Sequence, residues 1–231
     1  MAKQKIDRRR KAVTTRAVPT RERIKDVAGE LYVLRGHDGF SFGDVADAIG
    51  TTRANIHHHF GNKRQLMSEL VDGFVADAGL RIRRIWVGTP GSFADRLEAN
   101  VADLRRFHDH FNPRPGDRNV WSPLSRIRLD LPVLDRLGTR ALERIDRLYD
   151  DCIRRAVREA IAAGEFAPDT SVDDVAQLVR FALLSAAPMT QDGGGFEEVE
   201  RLFTALERTL LVAWGRRARQ ARRRKPGVAA R

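Results

Sequence analysis

Apolar residues recur at helical spacing along nearly the whole chain. Between Thr20 and Leu34 they fall at i, i+3, i+4, i+7 and i+8, which places them on one face of an α-helix. The residues of this stripe are Ile24, Val27, Ala28, Leu31 and Tyr32. No segment shows the alternation of apolar and polar residues that is typical of a strand. The pattern therefore predicts an all-α fold.

Capping residues and glycines divide the rest of the pattern into further helices. Ser41 followed by Asp44 resembles a capping box, and Gly50 stands where a left-handed residue ends a helix. The next helix has two candidate caps, Thr51 and Thr52. Similar signals predict the remaining helices, with approximate bounds of 52–60, 63–86, 92–111, 131–163, 171–187 and 196–215.

The second and third predicted helices are separated by a tight glycine turn, which is typical of the helix-turn-helix arrangement. In that arrangement the second helix of the pair enters the major groove of DNA. At about 100° per residue, one face of the third helix should pack on the protein and the other should face DNA. The packing face carries Ile56, His59 and Phe60, and the DNA face carries Arg53, Ala54, His57 and His58, with Asn55 at the edge.

The side chains of the DNA face are types that bind nucleic acid. Arginine pairs with guanine and asparagine with adenine, whereas lysines and helix N-termini bind phosphates. We expect groove contacts from Arg53, Asn55, His57 and His58, and phosphate contacts from Thr52, Lys63 and the basic segment 3–25.

The histidine run at 57–59 does not have the spacing of a metal site. Adjacent helical residues point about 100° apart, whereas zinc sites on helices use histidines at i and i+4. The lone cysteine, Cys152, lies in a predicted helix without the sequence signature of a nucleophile. We therefore predict no metal site, no catalytic residues and no cofactor.

The segment FSFGDVADAIGTTRANIHHHFGNKRQL, residues 40–66, resembles the DNA-binding segment of the TetR (tetracycline repressor) family of bacterial transcriptional regulators. The matching positions are Val45, Ala46, Gly50, Thr52, Ile56, His57, His59, Phe60, Gly61 and Lys63. The family usually has tyrosine at the position of His57, where its hydroxyl contacts the DNA backbone. An imidazole there predicts a pH dependence, because histidine changes charge between about pH 5 and 8.

The resemblance implies a helical body with a small-molecule pocket, and a dimer interface in which the last two long helices form a four-helix bundle. The implied divisions are a basic arm 1–19, a helix-turn-helix domain 20–66, a ligand-binding and dimerisation domain 67–215 and a basic tail 216–231. Candidate pocket residues for an unknown effector are Phe107, Phe111, Trp121, Arg128 and Phe181. The aromatic residues, and the apolar stripes of the last two helices, would equally fill an ordinary core.

The positive charge of the chain is concentrated at its two ends. Residues 1–25 hold ten Lys and Arg against two acids, and residues 214–231 hold eight against none. Since the net charge is +11, residues 26–213 carry −5. Basic ends favour a polyanionic partner, most often nucleic acid, although a tail of this composition is also compatible with a solvated segment of little function.

The remaining composition bounds the compartment and the function. A single cysteine excludes an internal disulfide, and no apolar run is long enough to span a membrane, so we expect a cytoplasmic, nucleoid-associated protein without membrane contact. The resemblance to the TetR family implies a repressor that binds a palindromic operator on double-stranded DNA as a homodimer and is released by its ligand. Two alternatives stay open: a non-specific nucleoid-associated DNA binder driven by the basic ends, and a ligand-binding bundle whose DNA-binding head is vestigial.

Overall fold

The computed structural model describes residues 20–193 and 195–216, and every regular element within these ranges is a helix. The helices are α1 (Thr20–Arg35), α2 (Phe42–Ile49), α3 (Arg53–Phe60), α4 (Lys63–Trp86), α5 (Phe93–Phe111), α6 (Pro123–Leu129), α7 (Leu131–Ala162), α8 (Val172–Gly193) and α9 (Glu197–Trp214). The all-α prediction is therefore confirmed. The predicted arm 1–19 and residues 217–231 of the predicted tail lie outside the described residues. No helix within the described ranges is long and apolar enough to cross a membrane.

Local capping sets the bounds of the first four helices. The Ser41 hydroxyl accepts from the Asp44 N–H while the Asp44 carboxylate accepts from the Ser41 N–H, which completes the predicted capping box. Gly50 ends α2 with a φ of 70°, a left-handed conformation that glycine adopts without strain. Of the two candidate caps for α3, Thr52 is the one whose side chain accepts from the first turn.

Helices α1, α2 and α3 form a head whose buried residues belong to the same core cluster as those of the other helices. Ile24 and Tyr32 of α1 and Ile56 and Phe60 of α3 are all at most 1% exposed. Val45 of α2 lies between them and is fully buried. Because both short helices bury their apolar stripes in this core, their opposite faces are left to solvent.

The body of the molecule comprises α4 to α9, in which α4 packs on α7, α7 on α8 and α8 on α9. Helix α4 also packs on α1 and α3, and it runs unbroken through the predicted domain boundary between residues 66 and 67. Its 24 residues span about 36 Å at 1.5 Å per residue. Head and body are thus joined by one continuous helix.

Helix α6 is an element that our sequence analysis did not identify. Its N-terminal signal was present, because the Ser122 hydroxyl accepts from the Ser125 N–H and Pro123 occupies the first turn. The helix has only 7 residues, too short for a periodic apolar stripe. Just beyond it, α7 contains a non-helical residue, Asp135, with a φ of 48°.

Helix α8 extends six residues past its predicted end at 187, through Pro188. Proline removes one backbone donor and usually ends or kinks a helix. Here tertiary bonds hold the following turn, since the Trp121 indole N–H donates to the Thr190 hydroxyl at 2.7 Å. The Thr190 hydroxyl in turn donates to the Ala187 carbonyl at 2.9 Å.

A short backbone bridge closes the end of the body at which α7 and α9 finish. The Ala167 N–H donates to the Trp214 carbonyl at 2.7 Å, and the Arg216 N–H donates to the Glu165 carbonyl at 3.0 Å. Phe166 and Gly215 form the isolated antiparallel bridge between these two bonds. The bridge ties the last described residues to the loop between α7 and α8.

Candidate DNA-binding surface and ligand cavity

The exposed face of α3 carries the side chains that the sequence places toward DNA. Arg53, Ala54, His57 and His58 are exposed, whereas Ile56 and Phe60 are buried and His59 is half-buried. No described residue forms an ion pair with Arg53, so its guanidinium is available to a ligand. A bidentate donor on an exposed helix of this position suits the edge of a guanine.

Thr52 and Asn55 are linked to the start of α3. The Thr52 hydroxyl accepts from the Asn55 N–H at 3.2 Å, and the Asn55 side-chain amide donates to the Thr51 hydroxyl at 2.9 Å. Asn55 is half-buried by this bond. The predicted contacts of Thr52 with phosphate and of Asn55 with a base edge stay predictions.

His57 lies at the seam between α2, α3 and the turn that follows. Its Nδ1 is 2.9 Å from the Gly61 carbonyl, and its ring meets the Phe42 ring edge-on at 4.8 Å between centroids. In the neutral ring this contact places the proton on Nδ1, which leaves Nε2 as an acceptor. Protonation makes Nε2 a donor, and only then does the ring suit a phosphate oxygen.

We expect His57→Tyr to bind the operator more tightly than wild type, because the tyrosine hydroxyl can donate to a phosphate oxygen whereas an Nε2 atom whose ring carries its proton on Nδ1 only accepts. Operator titration of the two proteins measures the difference. His58→Gln serves as the control for the neighbouring imidazole. Equal operator affinity of wild type and His57→Tyr would remove this role of residue 57.

Lys63 makes hydrogen bonds within the protein that the sequence did not predict. Its ammonium donates to the carbonyls of His37 and Phe40 and lies 4.5 Å from the centroid of the Phe40 ring. The accompanying desolvation lowers the pKa of this lysine. Lys63 therefore fastens the α1–α2 loop to the start of α4, and the predicted phosphate contact would use its third N–H.

His58, His59 and Cys152 are not placed in a described metal-binding cluster or in a setting that activates a thiol. The rings of His58 and His59 meet edge-on at 5.7 Å, and His59 lies against Phe60. No group of three His, Cys, Asp or Glu side chains within the described ranges could hold a metal ion. Burial raises the pKa of the Cys152 thiol, which disfavours the reactive thiolate.

A cavity of about 710 Å³ opens between α1 of the head and α4 to α8 of the body. This volume lies within the range of small-molecule sites, about 300–1,000 Å³. Four of the five predicted pocket residues line it: Phe107, Phe111, Trp121 and Arg128. Helix α1 also contributes Asp26, Gly29, Glu30 and Val33, so that the cavity touches the DNA-binding head directly.

The structure does not bring Phe181 into this cavity. Its side chain is 51% exposed on the outer face of α8, with the Arg180 guanidinium 5.0 Å from the centroid of its ring. Leu183, two residues further along α8, lines the cavity instead. The prediction for Phe181 was wrong because residues two apart on a helix face different directions, and neighbouring helices decide which face is inside.

Tyr149 is a cavity residue that sequence reasoning missed. It lies on α7, lines the cavity, and has no hydrogen bond to any other described residue. Burial raises the pKa of its phenol to about 12, which keeps the hydroxyl protonated and able to donate. Nearby, Arg81 pairs with Asp103 at 3.2 Å and covers the Phe107 ring.

Gly73 lies on the cavity wall within α4, and no side chain or other helix lies within 4 Å of the place a Cβ would occupy. We expect Gly73→Ala to raise the free energy of unfolding by about 0.5–1 kcal/mol, because glycine is a poor helix former. Denaturant unfolding measures the change. Gly36→Ala is the opposing control and should destabilise, since Gly36 has a φ of 77°. No gain for Gly73→Ala would mean that the residue is not helical in solution.

Helix α6 connects the cavity wall to the head. The Arg126 side chain donates to the Val33 carbonyl at 2.9 Å and to the Leu34 carbonyl at 3.1 Å, in the last turn of α1. The His37 N–H donates to the Asp130 carboxylate at 2.8 Å. Burial, and then this carboxylate, raises the pKa of the Tyr32 phenol. Arg126, which is thus engaged by α1, does not line the cavity.

The outer faces of α8 and α9 expose a second apolar surface. Leu178, Phe181, Leu211 and Val212 are 44–51% exposed. The short connection and the backbone bridge make the two helices antiparallel neighbours, so the start of α8 lies beside the end of α9. We call these four residues the apolar patch. Patches of this kind mark protein interfaces.

Comparison with known proteins shows which family model and which solved structures this chain is similar to. Residues 24–70 match the family model described as bacterial regulatory proteins, tetR family. The chain is 24% identical to the HTH-type transcriptional repressor KstR2 of Mycolicibacterium smegmatis, over 80% of this chain and 87% of that one. Its fold is similar to a TetR-family transcriptional regulator from Agrobacterium tumefaciens, with a TM-score of 0.67, 20% identity, and coverage of 84% and 97%. It is also similar to reduced Escherichia coli NemR, with a TM-score of 0.68, 15% identity, and coverage of 81% and 95%.

Proposed function

We propose that this chain, whose residues 24–70 match the family model of bacterial regulatory proteins, tetR family, is a repressor that binds a palindromic operator as a homodimer. We further propose that it releases the operator when a small molecule binds. The observation that carries the proposal is the division of α3, which buries Ile56 and Phe60 and exposes Arg53, His57 and His58. An exposed recognition helix held on a packed head suits major-groove readout.

The proposed DNA contacts come from a small part of the head. Arg53, Asn55, His57 and His58 would contact base edges or the groove, and Thr52 and Lys63 the backbone. Each head would read one half-site, and a two-fold dimer would read a palindrome. The apolar patch of α8 and α9 supports dimerisation, because its four apolar side chains are 44–51% exposed on two adjacent helices.

Ligand release is supported by where the cavity lies. Its wall includes α1 and α6, and α6 holds the last turn of α1 through Arg126. A ligand that changes the position of either helix would change the orientation of the head. Such a ligand shifts the balance between DNA-binding and non-binding dimers in proportion to its preference for one of them.

The test is selection of the purified protein against a random double-stranded DNA library at about 150 mM salt, where non-specific binding is weakened. We expect a palindrome to be enriched, with half-sites about one helical turn or a multiple of it apart. Salt-sensitive binding without enrichment would favour a non-specific nucleoid-associated binder. That alternative is supported by the positive charge at the two ends of the chain, since residues 1–25 and 214–231 together hold 18 Lys and Arg against two acids.

A further inference from the structure

The charged side chains of the cavity are not balanced. Six carboxylates and three Lys or Arg side chains line it, which leaves a net charge of −3. Each of the three cations already has a carboxylate partner: Lys25 with Glu22 at 2.9 Å, Arg81 with Asp103 at 3.2 Å, and Arg128 with Asp146 at 3.5 Å. The excess charge of the cavity is therefore negative, and its cations are neutralised.

The unneutralised carboxylates of the cavity lie on α1 and α4, two of the helices that line it. Asp26 of α1 and Asp77 of α4 are exposed and form no ion pair with any described residue. Glu30, one turn beyond Asp26, has the His110 imidazole beside it at 3.3 Å. A positive charge in the cavity would be attracted by carboxylates of both helices.

Aromatic side chains also line the cavity. Trp121 is 2% exposed, and Phe74 and Phe107 are half-buried against the same space. Aromatic faces attract organic cations as well as apolar groups. Tyr149, which is half-buried, also lines this space, and its hydroxyl is available to an acceptor on a ligand.

We infer that the cavity binds an apolar organic cation, with its positive charge between Asp26 and Asp77 and its apolar part against Phe74, Phe107 and Trp121. The inference rests on the proposed function, because it names the class of ligand that would release the operator. Such a ligand joins α1 to α4 by one shared charge. It also relieves the repulsion between the carboxylates of head and body.

Two probes of the same shape and opposite charge test the inference: tetraphenylphosphonium and tetraphenylborate, each with four phenyl rings around a tetrahedral centre. Calorimetric titration into the full-length protein gives their affinities. We expect the phosphonium to bind at least about tenfold more tightly, since unlike charges at a partly exposed site attract and like charges repel. Equal affinity, a preference for the borate, or no binding of either probe overturns the inference.

Substitutions in the cavity test where the positive charge of the phosphonium binds. Asp26→Asn with Asp77→Asn preserves size and should remove most of the preference for the phosphonium. Asp151→Asn, at an exposed aspartate of α7 outside the cavity, is the matched control and should leave it unchanged. Gly73→Phe fills open space on the cavity wall and should block both probes. An unchanged preference in the double variant, or phosphonium binding that persists in Gly73→Phe, would place the cation elsewhere and overturn the inference.

Operator titration on the same preparations separates this inference from the proposed function. A protein that selects a palindrome but lacks the charge preference remains a regulator with a different ligand class. A protein that prefers the phosphonium but selects no palindrome has the inferred cavity and lacks the proposed function. When both hold, the phosphonium should lower operator affinity, and Asp26→Asn with Asp77→Asn should suppress that effect.

Discussion

Phe181→Arg combined with Leu211→Arg should convert the proposed dimer to a monomer and lower operator affinity by about 10²–10⁴-fold. The two side chains are 51% and 45% exposed on adjacent helices, and the variant puts two like charges on each copy of a self-complementary surface. Once the protomers separate, the second half-site no longer benefits from the high effective concentration that linkage provides, which is worth about 10²–10⁴-fold.

Sedimentation velocity and operator titration measure these two effects. Leu80→Arg is the control, because Leu80 is 68% exposed on α4 and lies outside the apolar patch. The control should remain dimeric and bind the operator as wild type does. Circular dichroism of all three proteins should be the same, since every substituted side chain is exposed. A double variant that sediments as a dimer would show that α8 and α9 do not form the interface.

The second large effect is expected at the recognition helix. Arg53→Ala should weaken operator binding by about 1–3 kcal/mol and barely change the affinity for random DNA, because a bidentate contact to a guanine edge is lost. Arg53→Lys keeps the charge but loses the planar fork, so it should recover little of the operator affinity. Competition titrations with operator and random duplexes measure the difference.

Arg158→Ala controls for the loss of one positive charge. Arg158 is exposed on α7, and no described residue forms an ion pair with it. Its removal should leave the ratio between operator and random affinity unchanged. If Arg53→Ala instead weakened both duplexes equally, Arg53 would be a phosphate contact and sequence readout would have to come from Asn55 or His58.

Local signals in the sequence predicted the head well because they act over three or four residues. The bond between Ser41 and Asp44 and the left-handed Gly50 both depend only on the nearby backbone. The division of α3 into a packing and an exposed face follows from helical geometry once Ile56 and Phe60 are assigned to the core. The bounds of α4 at 63 and 86 were predicted for the same reason.

Features that depend on packing between distant segments could not be predicted. Phe181 and Leu183 have equally apolar side chains, and only the position of α7 and α9 decides that one is outside and the other lines the cavity. The Lys63 ammonium binds carbonyls more than 20 residues earlier in the chain. Tyr149 acquires its high pKa from burial that no local pattern indicates.

The backbone bridge at Phe166 and Gly215 determines where the basic tail begins. Helix α7 begins next to the head, and its part beyond the non-helical Asp135, residues 136–162, runs about 40 Å along its axis before the bridge. The described chain thus ends at Arg216, beside the loop between α7 and α8 and at the opposite end of α7 from the head. Deleting residues 217–231 should leave the selected palindrome unchanged and lower mainly the salt dependence of binding to long DNA, whose neighbouring segments can approach that end of the protomer.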